Sequence, residues 1–160
     1  MYGGRYDERE YFETGIYYFE RGQFEVAAEA FFRAKKLKPS FIQNRLMFGK
    51  TLTLLGANEA AEKEFKYVLK KKPDNADALC FLGSIRTSTG KHGSAKELLT
   101  EAVRLDPNYP QARALLAECL LCLGRAEEAV KESSIAIELH PNYDTAYYCR
   151  AVAHYDLGNW

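Results

Sequence analysis

The chain has 160 residues and balances 22 Lys and Arg against 22 Asp and Glu, so its zero formal charge argues against a nucleic-acid partner. A content of 47% apolar and 28% charged residues excludes a disordered chain, and the absence of a run of roughly 20 apolar residues argues against a membrane partner. Four Cys and an amino terminus without an apolar signal stretch predict reduced thiols in the cytoplasm, with the nucleus as the other option.

Two kinds of residue recur along the chain at an interval of 34. Proline, which ends helices, and glycine, which permits left-handed turns, follow the same interval independently. A shared period of this length is typical of a repeat protein built from helix pairs. The residues concerned are Pro39, Pro73, Pro107 and Pro141, together with Gly22, Gly56, Gly90, Gly124 and Gly158.

Between these residues, apolar side chains follow helical spacing and predict two helices per unit. In the first unit, Tyr11, Gly15 and Tyr18 mark the first helix, and Ala27 and Phe31 mark the second. We therefore predict a single domain of repeats 1 to 4 and an incomplete repeat 5 that holds only a first helix. The predicted boundaries are an extension at 1–7, then 8–41, 42–75, 76–109, 110–143 and 144–160.

The sequence resembles the tetratricopeptide repeat family, whose 34-residue unit carries a large residue, Leu-Gly and Tyr in its first helix, and Ala, Phe and a final Pro after it. The resemblance implies an all-α fold, a right-handed α-solenoid of antiparallel helix pairs. Arg45 and Arg113 depart from the family pattern at the large-residue position, and Arg86 departs at the Tyr position. Ser133 replaces the Phe, which predicts looser packing in repeat 4.

The resemblance also implies a concave groove lined by the first helix of each repeat, which holds a peptide or helix of another protein. We expect an exposed apolar patch at Phe12, Ile16, Phe19 and Leu46 to mark the contact region. The implied groove residues are Arg9, Phe12, Ile16 and Phe19; Gln43, Leu46, Lys50 and Thr53; Asp77, Cys80, Ser84 and Thr87; Gln111, Ala114, Glu118 and Leu121; and Thr145, Tyr148, Val152 and Tyr155.

A chaperone partner is not expected. Members of the family that grip a chaperone's carboxyl terminus do so with Lys, Asn and Arg side chains. The matching positions here hold Phe12, Ile16, Met47, Asp77 and Phe81, which offer a carboxylate no cation.

No catalytic, cofactor or metal site is predicted. Cys119 and Cys122 share a helix face and Cys149 lies at a related angle, but a structural zinc ion needs a fourth ligand that the sequence does not supply. We interpret these cysteines as structural and buried or half-buried. The three His are spaced so that none joins a nucleophile and a carboxylate, so we predict that the protein is not an enzyme.

The last residues suggest an uncovered helix face. The chain stops at Trp160, where a second helix of repeat 5 should begin, so Tyr147, Ala151 and His154 would lack a covering helix. We expect either a fragment of a longer repeat subunit or a homodimer through this end. Two functions stay open: a peptide-binding module, or a self-associating arm of a multiprotein assembly, such as a ubiquitin-ligase or ciliary transport complex.

Overall fold

The computed structural model describes residues 6–159, which form nine α-helices and no strand. This confirms the all-α helical repeat fold. The chain divides into two compact units: unit 1 contains the described residues up to Pro73, and unit 2 contains those from Asp74. The repeat boundaries stay a prediction, and of the segments 1–7 and 144–160 the positions 1–5 and Trp160 lie outside the described residues.

Unit 1 consists of two helix pairs. The first pair is α1 (Glu8–Glu20) and α2 (Phe24–Leu37), and the second is α3 (Ile42–Leu54) and α4 (Asn58–Lys71). Within the unit, α1 lies beside α3, and α2 packs on both of them. One cluster of its core is formed by Ala27, Phe31 and Phe48, which are buried.

Unit 2 contains two helix pairs and a further first helix. The elements are α5 (Ala76–Ser88), α6 (His92–Leu105), α7 (Pro110–Cys122), α8 (Ala126–Leu139) and α9 (Asp144–Asp156). The first helices α5, α7 and α9 lie side by side, and the second helices α6 and α8 pack against them. In each unit we call the side of the first helices that turns away from the second helices the inner face.

The two helices of a repeat cross at a glycine in the first three repeats. A Cβ atom added to Gly15 would lie 2.4 Å from Cε1 of Phe31, and one added to Gly83 would lie 2.6 Å from Cγ of Leu99. These distances are too short for a contact between non-bonded carbon atoms. Only the hydrogen atom of a glycine therefore fits at the crossing. Small residues at this position therefore let the large side chain of the second helix reach the axis of the first.

The two arginines at the large-residue position, Arg45 and Arg113, form ion pairs inside their repeats. Arg113 donates from Nη1 to Glu132 Oε2 at 2.6 Å and from Nε to the Pro107 carbonyl at 2.8 Å. Both charged side chains are largely shielded, with exposures of 12% and 17%. The same arrangement occurs in repeat 2, with Arg45, Glu64 and Pro39 at 2.9 Å and 2.8 Å.

Ser133 is accommodated without leaving an unsatisfied hydroxyl. The side chain is fully buried, and its Oγ donates to the carbonyl of Ala129 at 2.6 Å. Ala117, at the crossing position of the first helix, is also fully buried. Ser133 is therefore shielded from solvent, and the looser packing of repeat 4 stays a prediction.

Candidate functional site

The apolar residues of the inner face of unit 1 pack partly against its core. Phe12, Ile16 and Phe19 are all half-buried and contact the core cluster around Phe31. The ring centroid of Phe12 lies 5.9 Å from that of Phe31 and 5.0 Å from that of Phe41. The expected apolar patch is therefore only partly accessible to a partner.

The prediction that Leu46 is exposed is wrong, because only 4% of the residue is accessible. Its equivalents in the next two repeats, Cys80 and Ala114, are fully buried. Within unit 2, Ala114 of α7 clusters with Ala136 of α8 and Ala146 of α9, so its side chain packs against neighbouring helices. Buried side chains such as these support the packing of the core and are not free to bind a partner.

Two threonines predicted for the groove bond to their own helices. Thr87 is 7% exposed, and its hydroxyl donates to the Gly83 carbonyl at 3.1 Å. Thr53 is half-buried and donates to the Gly49 carbonyl at 2.9 Å. The inclusion of Thr87 as an accessible groove residue was therefore wrong, whereas Thr53 keeps part of its surface open.

The remaining predicted residues of unit 1 supply polar and basic groups. Arg9 and Gln43 are exposed, and Lys50 is half-buried. Both cationic side chains lie on first helices: Arg9 is in the first turn of α1, and Lys50 is in the second half of α3. The inner face of unit 1 thus combines half-buried apolar side chains with positive charge.

On the inner face of unit 2, a hydrogen bond joins neighbouring repeats where their first helices begin. The Tyr109 hydroxyl donates to Oδ1 of Asp77 at 2.8 Å, a bond that joins the start of α7 to the start of α5. Burial is the main cause that raises the pKa of Tyr109, so this side chain stays protonated and keeps donating. Ser84 and Gln111 are half-buried along the same two helices.

Glu118 lies in the middle of α7 and is half-buried. Its negative charge contributes to raising the pKa of both Tyr143 and Cys149, for which burial is the larger cause. The pKa of Cys149 rises to about 11. The carboxylate therefore acts electrostatically on a phenol at the start of α9 and on a thiol in its middle.

The inner side of α9 carries the two most exposed aromatic side chains of the predicted set. Tyr148 and Tyr155 are 68% and 73% exposed, Thr145 is exposed, and Val152 is half-buried. Leu121 of α7 is half-buried as well. Together with Glu118, these side chains make the inner face of unit 2 an open surface of tyrosine, aliphatic and acidic groups.

Tyr109 and Tyr143 were absent from the predicted set, although both contribute to this surface. Each follows a Pro-Asn pair, and they are 34 residues apart. Phe41 occupies the equivalent place in unit 1, where it contacts Phe12. An aromatic residue two positions after the proline was the signal in the sequence that could have found them.

The thiols do not share one environment. Cys119 is buried and its Sγ lies 3.1 Å from the His92 carbonyl, whereas Cys122, three residues later, is exposed. The interpretation of both as buried or half-buried is wrong for Cys122. Among residues 6–159, no group of three or more His, Cys, Asp or Glu side chains could hold a metal ion.

No helix in the described part of the chain combines the length and the apolar character that a bilayer crossing requires. The longest helices have 14 residues, for example Phe24–Leu37 and Ala126–Leu139.

Comparisons with known proteins agree on the architecture. Tetratricopeptide repeat models match residues 46–110 and 86–154. A solved structure of MamA shares the fold: it is 23% identical, the match covers 95% of this chain and 83% of that chain, and the TM-score is 0.79. MamA from Desulfovibrio magneticus RS-1 also shares it, with 18% identity, coverage of 95% of this chain and 86% of that chain, and a TM-score of 0.82. So does YrrB, a TPR protein described as having an unusual peptide-binding site (22%, 96% and 79%, 0.74). No curated protein matches the sequence significantly.

Proposed function

Because this chain belongs to the tetratricopeptide repeat family, we propose that it is a non-catalytic scaffold that holds a peptide or helix of another protein on its inner faces. The repeats themselves support a protein-protein interaction scaffold. The observation that carries the finer proposal is the accessible inner surface of unit 2, where Tyr148 and Tyr155 are mostly exposed on α9. Exposed tyrosines provide large, rigid contact area of the kind found in protein interfaces.

The chemistry of the inner faces favours a protein partner. An extended or helical segment needs apolar contacts and a few polar groups, which the half-buried Phe12, Ile16, Gln111 and Val152 provide. The zero net charge supports neither nucleic acid nor an anionic membrane surface as the partner. We also propose that the partner is not a chaperone carboxyl terminus, because that ligand requires cations that Met47 and Phe81 do not offer.

Affinity capture from cell extract with three forms of the chain tests this proposal. The forms are the wild type, a Tyr148→Ser/Tyr155→Ser variant of the inner face, and a Glu127→Ala/Lys131→Ala variant with changes at exposed positions of α8. We expect a partner that the first and third retain and the second loses, with the helical content of all three equal by circular dichroism. Equal capture by all three forms would exclude the inner face of α9 as the binding surface.

A second function, self-association as an arm of a multiprotein assembly, is favoured by another face of α9. Tyr147 is 43% exposed, Ala151 is exposed, and the Arg150 guanidinium lies 5.4 Å from the centre of the Tyr147 ring. An exposed aromatic and small-residue face can pair with a copy of itself. Sedimentation equilibrium of the wild type and of a Tyr147→Ser variant tests it: a dimer that the substitution dissociates supports self-association, and a wild-type monomer at every concentration excludes it.

A further inference from the structure

We propose that the inner face of unit 2 selects partner segments that present a lysine or arginine side chain, and that Glu118 receives this cation. The inference deepens the proposed function and rests on it. It concerns which segments bind, whereas the proposed function concerns whether segments bind at all.

The charge on this face has one sign. The inner positions of α5, α7 and α9 hold two carboxylates, Asp77 and Glu118, and no lysine or arginine. A surface whose charges have a single sign attracts segments of the opposite sign and disfavours those of its own. The positions are Asp77, Cys80, Ser84, Thr87, Gln111, Ala114, Glu118, Leu121, Thr145, Tyr148, Val152 and Tyr155.

Glu118 differs from the other half-buried glutamates among the described residues of unit 2, Glu101 and Glu132, which are both paired with an arginine. Glu132, Glu101 and Glu128 are each paired with an arginine of the same unit, at most 19 residues away in sequence. Within residues 6–159, by contrast, Glu118 makes no hydrogen bond or ion pair, although it is half-buried. A carboxylate that loses part of its hydration without gaining a partner is costly in free energy, and an incoming cation offsets that cost.

Within residues 6–159, no neighbouring side chain pairs with the Glu118 carboxylate. The Cys149 thiol is directed to the Ala114 carbonyl at 3.9 Å, and among the described residues neither Cys149 nor Tyr143 donates a hydrogen bond to Glu118. The positive charge of Lys96 acts on the pKa of Cys119, which it lowers. Lys96 belongs to α6, however, and not to the inner face. A partner's ammonium or guanidinium group would therefore be the matching charge on this face.

Aromatic side chains extend the surface for a long cationic residue. Tyr148 and Tyr155 are mostly exposed on the inner side of α9, the helix that also places Cys149 near Glu118. Tyrosine rings attract cations through their negative faces, and the methylene stems of lysine and arginine pack on apolar surface while the charged end reaches a carboxylate. These residues make a cationic side chain a better fit than an aliphatic one of equal length.

Fluorescence polarisation with pools of short labelled peptides tests the inference. The pools share one length and uncharged random flanks, and they differ only in a fixed central Lys, Arg, Leu or Glu. We expect the full chain to bind the Lys and Arg pools about tenfold more tightly than the Leu pool, with the Glu pool weakest. We also expect the preference to shrink at high salt, because screening weakens a partly exposed ion pair.

Substitutions at Glu118 separate charge from shape. Glu118→Gln keeps the size of the side chain and should abolish the preference for Lys and Arg, whereas Glu118→Lys should transfer the preference to the Glu pool. Glu127→Gln is the matched control, because this exposed residue lies on α8 and not on the inner face. Circular dichroism confirms that each variant is folded.

The outcomes distinguish this inference from the proposed function. If the pools bind without a preference for a cationic centre, or if Glu118→Gln leaves the preference unchanged, the inference is overturned and peptide binding stands. If no pool binds the wild type, peptide binding and the inference fail together. Reversal of the preference by Glu118→Lys supports both.

Discussion

Repeats 3 and 4 lie in the same compact unit and solve the same packing problem with different side chains. Repeat 3 pairs Gly83 with Leu99 at the helix crossing, and repeat 4 has Ala117 and Ser133 at the same two positions. In both repeats the second-helix residue is fully buried. The comparison teaches that the crossing shields its second-helix residue from solvent with either pair, a glycine against a large side chain or an alanine against a small one.

The second difference between these repeats is electrostatic. Repeat 3 carries Leu79 and Leu98 where repeat 4 carries Arg113 and Glu132. Leu79 is 6% exposed, and the Arg113 side chain is 12% exposed, so both solutions shield their residues from water. An apolar pair and a hydrogen-bonded ion pair can therefore occupy the same two positions. Loss of one partner leaves an unpaired shielded charge only in the ion pair.

The largest predicted effect comes from breaking the ion pair of repeat 4. Glu132→Ala should lower the free energy of unfolding by about 3 kcal/mol, because it leaves the shielded Arg113 guanidinium without its carboxylate. Urea denaturation followed by circular dichroism measures the loss. The double variant Arg113→Leu/Glu132→Leu places at these two positions the leucines that repeat 3 has there. We expect it to recover most of the lost stability. A double variant as unstable as the single one would contradict the equivalence of the two solutions.

The next effect concerns the helix crossing. Gly83→Ala should cost about 2 kcal/mol, since the new methyl would lie 2.6 Å from Leu99 Cγ and the better helix propensity of alanine only partly compensates. Thermal unfolding measures the cost. Adding Leu99→Ser copies repeat 4, and the two changes together should cost less than the sum of the single changes. Strict additivity would show that the two positions do not share one volume.

Alkaline pH should lower the free energy of unfolding by roughly 1 to 2 kcal/mol through buried thiols of repeats 4 and 5. Cys119 of repeat 4 takes the place of Ile85 of repeat 3, and burial raises the pKa of Cys119 and of Cys149, the latter from about 9 to about 11. The folded chain holds the proton of such a thiol more tightly than the unfolded chain does. Its contribution to stability is therefore fully present below pH 9 and is lost as the pH rises towards 11. Denaturation between pH 8 and pH 11 measures the slope, which Cys149→Ala should flatten.

The smallest effect leaves stability unchanged and concerns thiol access. Cys122 is exposed, whereas Cys80, Cys119 and Cys149 are buried. At neutral pH an aromatic disulfide reagent should modify Cys122 rapidly and the other three only at the rate of unfolding. Mass spectrometry of the singly modified chain identifies the site, and a Cys122→Ser variant should lose the fast phase. A fast phase that persists in this variant would show that a buried thiol is accessible.

The sequence predicted the helices well, because their signals are local and repeated. The glycines of the turns, such as Gly22 and Gly90, adopt φ angles of 71° and 76°, as the spacing led us to expect. Prediction of the inner face succeeded less well. Leu46 and Thr87 were assigned to an accessible groove and are buried, and Tyr109 and Tyr143 were overlooked. Whether a side chain faces a partner or a neighbouring helix depends on contacts that a single repeat does not encode.

Sequence alone determined the period, the helix pairs and the close crossing at Gly15 and Gly83, because these follow from backbone preferences and from the size of one residue. Only the tertiary structure decided which polar groups find partners. It joins Arg113 to Glu132 across two helices and leaves Glu118 without a hydrogen bond or ion pair among the described residues. The physical reason is that a charge is stabilised or left costly by atoms that folding brings within a few ångströms, wherever they lie in the sequence.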